Sequence, residues 1–169
     1  GKADPDAPRP ADAPDEHRKK RAGQPHRQRS APLFPGALPA ARAAAVQPPA
    51  DVPAAEADNF VKDKTAAAPL LKPFTPDHIV YCGPYPLFVE NIDEAKNALD
   101  AFMTEHDKEP RLILVQGVGA FIMEDDKGKA AKAQLLVKDA IKLAVYAESF
   151  GGPLQMTDEI TYFITHWEA

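Results

Sequence analysis

The sequence has a single cysteine, Cys82, among its 169 residues. One cysteine excludes an internal disulfide and a cysteine-only zinc site, and it agrees with a reducing cytoplasm, which is the location we expect. Histidine is also scarce, since there are five, and neither a His-x-His pair nor a His-Glu-x-x-His motif occurs. The ligand spacing of a zinc site built from neighbouring residues is therefore missing, and we expect no metal site in this chain.

Long apolar runs and positive charge are two further features that the sequence has little of. No apolar run approaches the roughly 18 to 20 residues needed to cross a bilayer, so we expect no membrane partner. Residues 66–169 carry 9 Lys and Arg against 16 Asp and Glu, a formal charge of −7. Binding to a phosphate backbone requires a positive field over the contact face, so nucleic acid is not an expected partner of this part.

The first 65 residues have a different composition, rich in proline, alanine and arginine. Eleven of the eighteen prolines lie in residues 1–53, where large apolar side chains are few. Such a segment cannot bury enough surface to offset its ordering entropy, so we expect residues 1–65 to be disordered. The basic cluster from His17 to Arg29 leaves open a nucleic-acid or nuclear-address role. The missing initiator Met and the abrupt change near Asn59 leave open that the segment is non-native sequence from a shifted reading frame.

Residues 66–169 alternate strand and helix patterns, which indicates a layered α/β domain. The predicted strands are His78–Cys82, Pro86–Val89, Leu112–Val115 and Ala120–Met123. The third is continuously apolar and should be central in the sheet, covered on both faces. The predicted helices are Asp93–His106 behind a capping box at Asn91, a long helix from Lys129 to the Gly151-Gly152-Pro153 stop, and a last helix capped by Thr157.

Asp77 and His78 are the best titratable candidates for catalysis. A carboxylate beside an imidazole can orient it for proton transfer or for metal ligation. Neighbouring residues of a strand point to opposite faces, however, so the two would meet only across a turn. The alternative is a hydrogen-bonded structural histidine. We expect His106 and His166, both on predicted helices, to be surface or partly packed residues.

Gly117 and Gly119 are the candidate phosphate-binding residues. Glycines directly after an apolar strand let backbone amides approach an anion. Ile122 stands where the dinucleotide fingerprint needs a further glycine, so the motif is incomplete. The alternative is a tight bend between two strands. Cys82 has no positive neighbour in the sequence and is interpreted as an inert, small apolar residue.

Four sequence blocks within residues 74–169 carry a resemblance to a known family. The blocks are Thr75–Cys82, Pro86–Val89, Gly117–Phe121 and Ala144–Pro153. They resemble the class II aldolase/adducin family, in particular the aldolase portion of bifunctional aldolase/short-chain dehydrogenases of the rhamnulose-phosphate type. The resemblance implies an α/β/α layered fold. It also implies, for the complete protein, cleavage of a carbon-carbon bond in a phosphorylated ketose with a divalent metal, usually zinc, as Lewis acid.

The three histidine ligands of that family precede these blocks, in a His-x-His pair and an Asn-His-Gly motif, and no residue of this chain matches them. The resemblance therefore implies the C-terminal part of a class II aldolase-like sugar-phosphate lyase, inactive alone. A sugar phosphate, the remainder of the aldolase domain or further copies of the chain are its expected partners. The alternative is a non-catalytic sugar-phosphate-binding or assembly module. It would use the Gly117–Gly119 turn or the apolar stripe Ile160, Phe163, Ile164 and Trp167.

Overall fold

The computed structural model describes residues 42–167 together with two short paired strands at Leu33–Phe34 and Leu38–Pro39. The strands are β1 Leu33–Phe34, β2 Leu38–Pro39, β3 Ala43–Ala45, β4 Leu87–Val89, β5 Leu112–Val115 and β6 Gly119–Met123. The helices are α1 Ala54–Asn59, α2 Lys64–Ala67, α3 Pro76–Cys82, α4 Ala95–His106, α5 Lys127–Ala147 and α6 Asp158–His166. Single 3₁₀ turns cover Ala68–Leu70, Ile92–Glu94 and Glu148–Phe150.

Strands β3 to β6 form one mixed sheet in the order β3-β6-β5-β4. β5 runs parallel to β4 and antiparallel to β6, and β3 is antiparallel to β6. All four residues of β5 are buried, which confirms the expectation of a central strand covered on both faces. The side chains of β5 alternate between the two faces, as in any strand, and so contribute to two separate layers of core.

Helices cover both faces of this sheet. On one face Leu112 and Leu114 pack with buried residues of α5, among them Val137 and Ile141. On the other face Ile113 and Val115 pack with Ala95 at the start of α4. The arrangement is a mixed α/β fold with helices on either side of the sheet, and within residues 42–167 no helix is long and apolar enough to cross a membrane.

Ordered structure begins earlier than the sequence indicates. β3 extends the sheet, and Val52, Ala57 and Phe60 belong to the core. The Nζ of Lys142 on α5 lies 3.0 Å from the Asp51 carboxylate, which ties this segment to the helix. The expected disorder is therefore wrong for residues 42–65. A few apolar side chains of this segment pack against buried residues of α5, which is enough to stabilise it. Apart from β1 and β2, the rest of that segment, with its basic cluster, lies outside the described residues.

Residues 78–82 lie in helix α3, so the strand predicted there is wrong. The hydroxyl of Thr75 accepts a hydrogen bond from the His78 amide, and Pro76 occupies the first turn. Gly83 ends the helix with φ of +82°, and its amide donates to the Ile79 carbonyl. These start and stop signals outweigh the apolar-polar alternation from which the strand was inferred.

The three remaining helix predictions are confirmed with small shifts. α5 starts at Lys127 because the Asp126 carboxylate accepts from the Lys129 amide. α6 follows Thr157, whose hydroxyl accepts from the Ile160 amide. The predicted capping box at Asn91 does not form as expected, since its side chain accepts from Asp93 instead.

Candidate functional site

His78 is buried and both of its ring nitrogens have partners. Nδ1 lies 2.8 Å from Thr75 Oγ1, and Nε2 lies 3.0 Å from the Leu136 carbonyl oxygen on α5. A carbonyl only accepts, so Nε2 donates to it, and the Thr75 hydroxyl can donate to Nδ1 of the neutral ring. Burial lowers the pKa of His78, although the Leu136 carbonyl and nearby carboxylates oppose this effect. The geometry is that of a structural histidine that ties α3 to α5.

Asp77 is exposed, and the structure does not bring its carboxylate into a hydrogen bond with His78. Its charge acts on the imidazole only weakly, as the last of the causes that shift the pKa of His78. Proton transfer or metal ligation by His78 would first require loss of its bond to Thr75 or to Leu136. The catalytic role of this pair therefore stays a prediction.

The Gly117–Gly119 segment is the turn of the hairpin between β5 and β6. Gly117 has φ of +68°, a left-handed conformation that favours glycine. Three successive amides of this turn already have partners inside the protein. The donors are Gln116 to the Val89 oxygen at 2.9 Å, Gly117 to the Val61 oxygen at 2.7 Å, and Val118 to the Val115 oxygen at 3.0 Å. A tight bend explains the glycines, and phosphate binding here stays a prediction.

The zinc ion implied by the family resemblance does not fit the described residues. Within residues 42–167 no three His, Cys, Asp or Glu side chains come close enough together to hold a metal ion. Cys82 is buried with its thiol 3.5 Å from the Ala133 carbonyl, and burial raises its pKa to about 12. A thiol with this pKa is protonated at neutral pH. We assign no chemistry of this chain to a metal.

A cleft of about 830 Å³ lies at the other end of β5, where that strand begins. Its walls are the C-terminal ends of α3 and α4, the loop 107–111 and the last turn of α6. This volume is within the range of about 300–1,000 Å³ that is usual for small-molecule sites. Its aromatic and basic lining includes Tyr85, His106, Lys108, Arg111 and His166.

Stacked aromatic rings form one wall of the cleft. The His106 imidazole lies parallel to the Tyr85 ring, with centroids 4.5 Å apart and planes 14° apart. Phe102, which is buried, packs on His106 with centroids 4.4 Å apart. The core side of the stack is fixed by Phe102, while Tyr85 is 37% exposed. The wall therefore presents an aromatic surface toward solvent.

Charged side chains of the loop 107–111 form another part of the cleft. The Arg111 guanidinium donates to the Val80 carbonyl at the end of α3, and its stem lies against Gly83. Glu109 forms an ion pair with Arg42, which also pairs with Asp125 at 2.8 Å. Asp107 and Glu109 balance Lys108 and Arg111 in the lining of the cleft. Arg42 is shared between Glu109 and Asp125, so it adds no excess of positive charge.

Sequence reasoning missed this cleft because its members are far apart in the chain. Tyr85 and His106 are separated by a strand and a helix, and His166 lies on another helix. His106 and His166 were expected to be surface or partly packed, and both are. Only the run of charges around Pro110 could have drawn attention to the loop.

The comparisons with known proteins give little beyond this geometry. No family profile matches the chain, and no curated protein matches it. Among solved structures the chain is similar to YgbL from Escherichia coli, a proposed aldolase/epimerase/decarboxylase, at 14% identity with a TM-score of 0.44. The match covers 64% of this chain and 52% of that one, so the chain spans about half the length of YgbL. A likeness at this score decides neither the family nor the reaction.

Proposed function

We propose that this chain is the C-terminal part of a class II aldolase-like sugar-phosphate lyase and that it is inactive alone. The observation that carries the proposal is that the four sequence blocks resembling that family pack together around one sheet. Thr75–Cys82 forms the cap and body of α3, and Pro86–Val89 leads into and forms β4. Gly117–Phe121 makes the hairpin turn and the start of β6, while Ala144–Pro153 covers the end of α5.

Direct bonds join these blocks to the core. His78 and Cys82 of the first block both lie against carbonyls of α5, at Leu136 and Ala133. Val89 of the second block accepts from the Gln116 amide, immediately before the third block. In the fourth block Ala144 is buried against the same core. Residues that support the resemblance are thus those that build the fold, and their role is to hold the layers together.

In this proposal, residues other than 42–167 bind the metal and cleave the carbon-carbon bond. In the complete enzyme a divalent metal would act as a Lewis acid on the sugar phosphate. The residues of this chain would supply the scaffold against which that metal-bearing part packs. The sugar phosphate and the rest of the aldolase domain are the partners of this function.

Sequencing the coding DNA on the 5′ side of the first codon, and reading all three frames across residues 1–41, tests this proposal. We expect codons for a His-x-His pair and an Asn-His-Gly motif, in the same frame or a shifted one. A start codon directly upstream, with neither motif in any frame, would contradict the lyase proposal.

An activity measurement on the full chain tests the second half of the proposal. We expect no aldehyde release from fructose 1-phosphate, with or without added zinc, and less than one tightly bound zinc per chain by elemental analysis. Turnover that depends on one bound zinc would show that the chain is active alone.

A non-catalytic assembly module is the second candidate, and the surface of α6 favours it. Ile160, Phe163 and Trp167 follow one another at helical spacing and are 48%, 56% and 69% exposed. Apolar side chains that are exposed together at this spacing are suited to packing against another protein surface. Light scattering of the full chain and of Phe163→Glu distinguishes the two candidates. A stable dimer lost in the variant favours the module, whereas a monomer in both favours the lyase part.

A further inference from the structure

We propose that a pocket at the carboxyl end of β5 binds a small hydrophobic amine, with its apolar body among core side chains and its ammonium group against Asp58. The pocket has a volume of about 220 Å³ and lies between α1, α5 and the hairpin of β5 and β6. It shares no residue with the cleft at the start of β5. The inference is independent of the lyase proposal, because it depends only on the residues that line this pocket.

The inner wall of the pocket is apolar and belongs to the core of the protein. Its buried side chains are those of Ala57, Phe60, Leu70, Leu114 and Ile141. Apolar surface that moves from water onto such a wall gains free energy, so the wall favours a hydrophobic ligand. An apolar cavity of about 150 Å³ accepts benzene, and a volume of about 220 Å³ therefore fits a body of about nine non-hydrogen atoms.

Backbone carbonyls of the pocket wall already accept hydrogen bonds within the protein. The Ala120 oxygen accepts from the Val46 amide at 2.9 Å, and the Val61 oxygen accepts from the Gly117 amide at 2.7 Å. A carbonyl oxygen is only an acceptor, so any second bond that these atoms form requires a donor on the ligand. The backbone therefore leaves the choice of polar group largely to side chains, and where it contributes it favours an N–H or O–H.

Asp58 explains why an amine rather than an acid is the expected ligand. Asp58 and Gln47 are exposed members of the lining, and among the described residues that line the pocket there is no Lys, Arg or His. Within residues 42–167 no basic side chain forms an ion pair with the Asp58 carboxylate. An ammonium group meets an opposite charge there, whereas a carboxylate meets a like charge and loses water against an apolar wall. The side-chain oxygen of Gln47 can accept a further N–H.

Two-dimensional amide NMR of the full chain, titrated separately with benzylamine, benzyl alcohol and benzoate, tests the proposal. We expect saturable shifts at Asp58, Val118 and Gly119 with benzylamine below about 10 mM. Benzyl alcohol should bind about two- to fivefold more weakly, because an exposed ion pair adds only a little affinity. Benzoate should bind more weakly still. Absence of saturation by benzylamine at these residues would overturn the proposal. So would benzyl alcohol or benzoate binding as tightly as benzylamine, because Asp58 would then contribute nothing.

Matched variants assign the binding to the named side chains. Asp58→Asn should weaken benzylamine binding about two- to fivefold and leave benzyl alcohol binding unchanged, because it removes only the charge. The control is Asp107→Asn, which removes an equal charge at the other end of β5, in a left-handed position that Asn also adopts. Equal loss in both variants would show a general charge effect and contradict the site.

A filled pocket gives an independent test. Ala57→Leu places a larger side chain in the pocket and should abolish binding of both benzylamine and benzyl alcohol. Unchanged binding in the folded variant would contradict the site. Because Ala57→Leu also alters the packing of α1, the exposed change Asp58→Asn decides the proposal if Ala57→Leu does not fold.

Discussion

The two ends of strand β5 use polar groups in opposite ways. At its carboxyl end, the amides of Gln116, Gly117 and Val118 all donate to carbonyls of the protein. At its amino end, Lys108 and Arg111 line an open cleft beside an aromatic wall. The glycine turn has the more familiar appearance of a binding motif, yet its donors are engaged in the fold. The charged side chains of the irregular loop 107–111 instead face an open cleft.

The largest expected loss of stability comes from a substitution in the buried middle of β5, because this part of the strand holds both of its ends in place. Leu114 is fully buried, whereas Leu135 on α5 is 62% exposed. Leu114→Ala should lower the free energy of unfolding by about 2–5 kcal/mol, because it leaves a cavity in a packed core. Leu135→Ala should change it by less than about 0.5 kcal/mol. Urea denaturation checks both, and a loss below 1 kcal/mol for Leu114→Ala would contradict the placement of β5.

The next largest loss of stability is expected for His78, to which we give a structural role rather than a catalytic one. His78→Gln should cost about 1–3 kcal/mol of stability, because it disturbs buried hydrogen bonds. Since the folded pKa of His78 is lowered, the unfolded state binds its proton more readily. The contribution is therefore present above the unfolded pKa, near 6.5, and is lost as pH falls through the folded value.

Unfolding at pH 7 and at pH 5 checks this sign. The wild type should lose more stability between these two values than His78→Gln does. Leu135→Ala, a change at an exposed side chain that does not titrate, is the control and should keep the wild-type pH dependence. An identical pH dependence in wild type and His78→Gln would show that His78 does not titrate as described.

A smaller effect is expected at the hairpin turn. Gly117→Ala should destabilise the protein by about 1–2 kcal/mol, because φ of +68° is a left-handed conformation that side chains disfavour. Val118→Ala removes an exposed side chain in the same turn and should be nearly neutral. Thermal or urea denaturation of the pair measures the difference. Unchanged stability of Gly117→Ala would contradict the left-handed conformation at this position.

The smallest expected change in stability belongs to the cleft itself. Lys108→Ala should alter the free energy of unfolding by less than about 0.5 kcal/mol, because it changes an exposed loop side chain. Urea denaturation compares it with Lys96→Ala, which removes an equal charge from the exposed pair of Lys96 with Asp100. A loss above about 1 kcal/mol for Lys108→Ala would make Lys108 a structural residue.

The sequence predicts most of the sheet and the long helices because each has a strong local signal. The unbroken apolar run of β5 and the caps at Asp126 and Thr157 are examples. α3 was missed because the alternation in His78–Cys82 resembles a strand, although Thr75 and Pro76 mark a helix start. The fold of residues 42–65 is not predicted, because the average composition of this proline-rich segment is poor in large apolar residues. Val52 and Phe60 are exceptions, and their burial depends on contacts with the core that α5 contributes to.

The candidate site is less visible in the sequence than the fold. The residue types of Asp77, His78, Gly117 and Gly119 suit chemistry, but structural contacts account for His78 and for the turn. The stacked pair of Tyr85 and His106 exists only after β4, α4 and β5 are in place. Whether a polar group is engaged in the fold or available to a ligand is decided by tertiary contacts, which local pattern does not contain.

The most direct test of this account is amide hydrogen exchange of the full chain by NMR, measured with and without inorganic phosphate. We predict slow exchange at Gln116, Gly117 and Val118, whose amides donate to protein carbonyls, and no saturable shift of these amides with phosphate. Fast exchange at all three, or saturable shifts with phosphate, would contradict it.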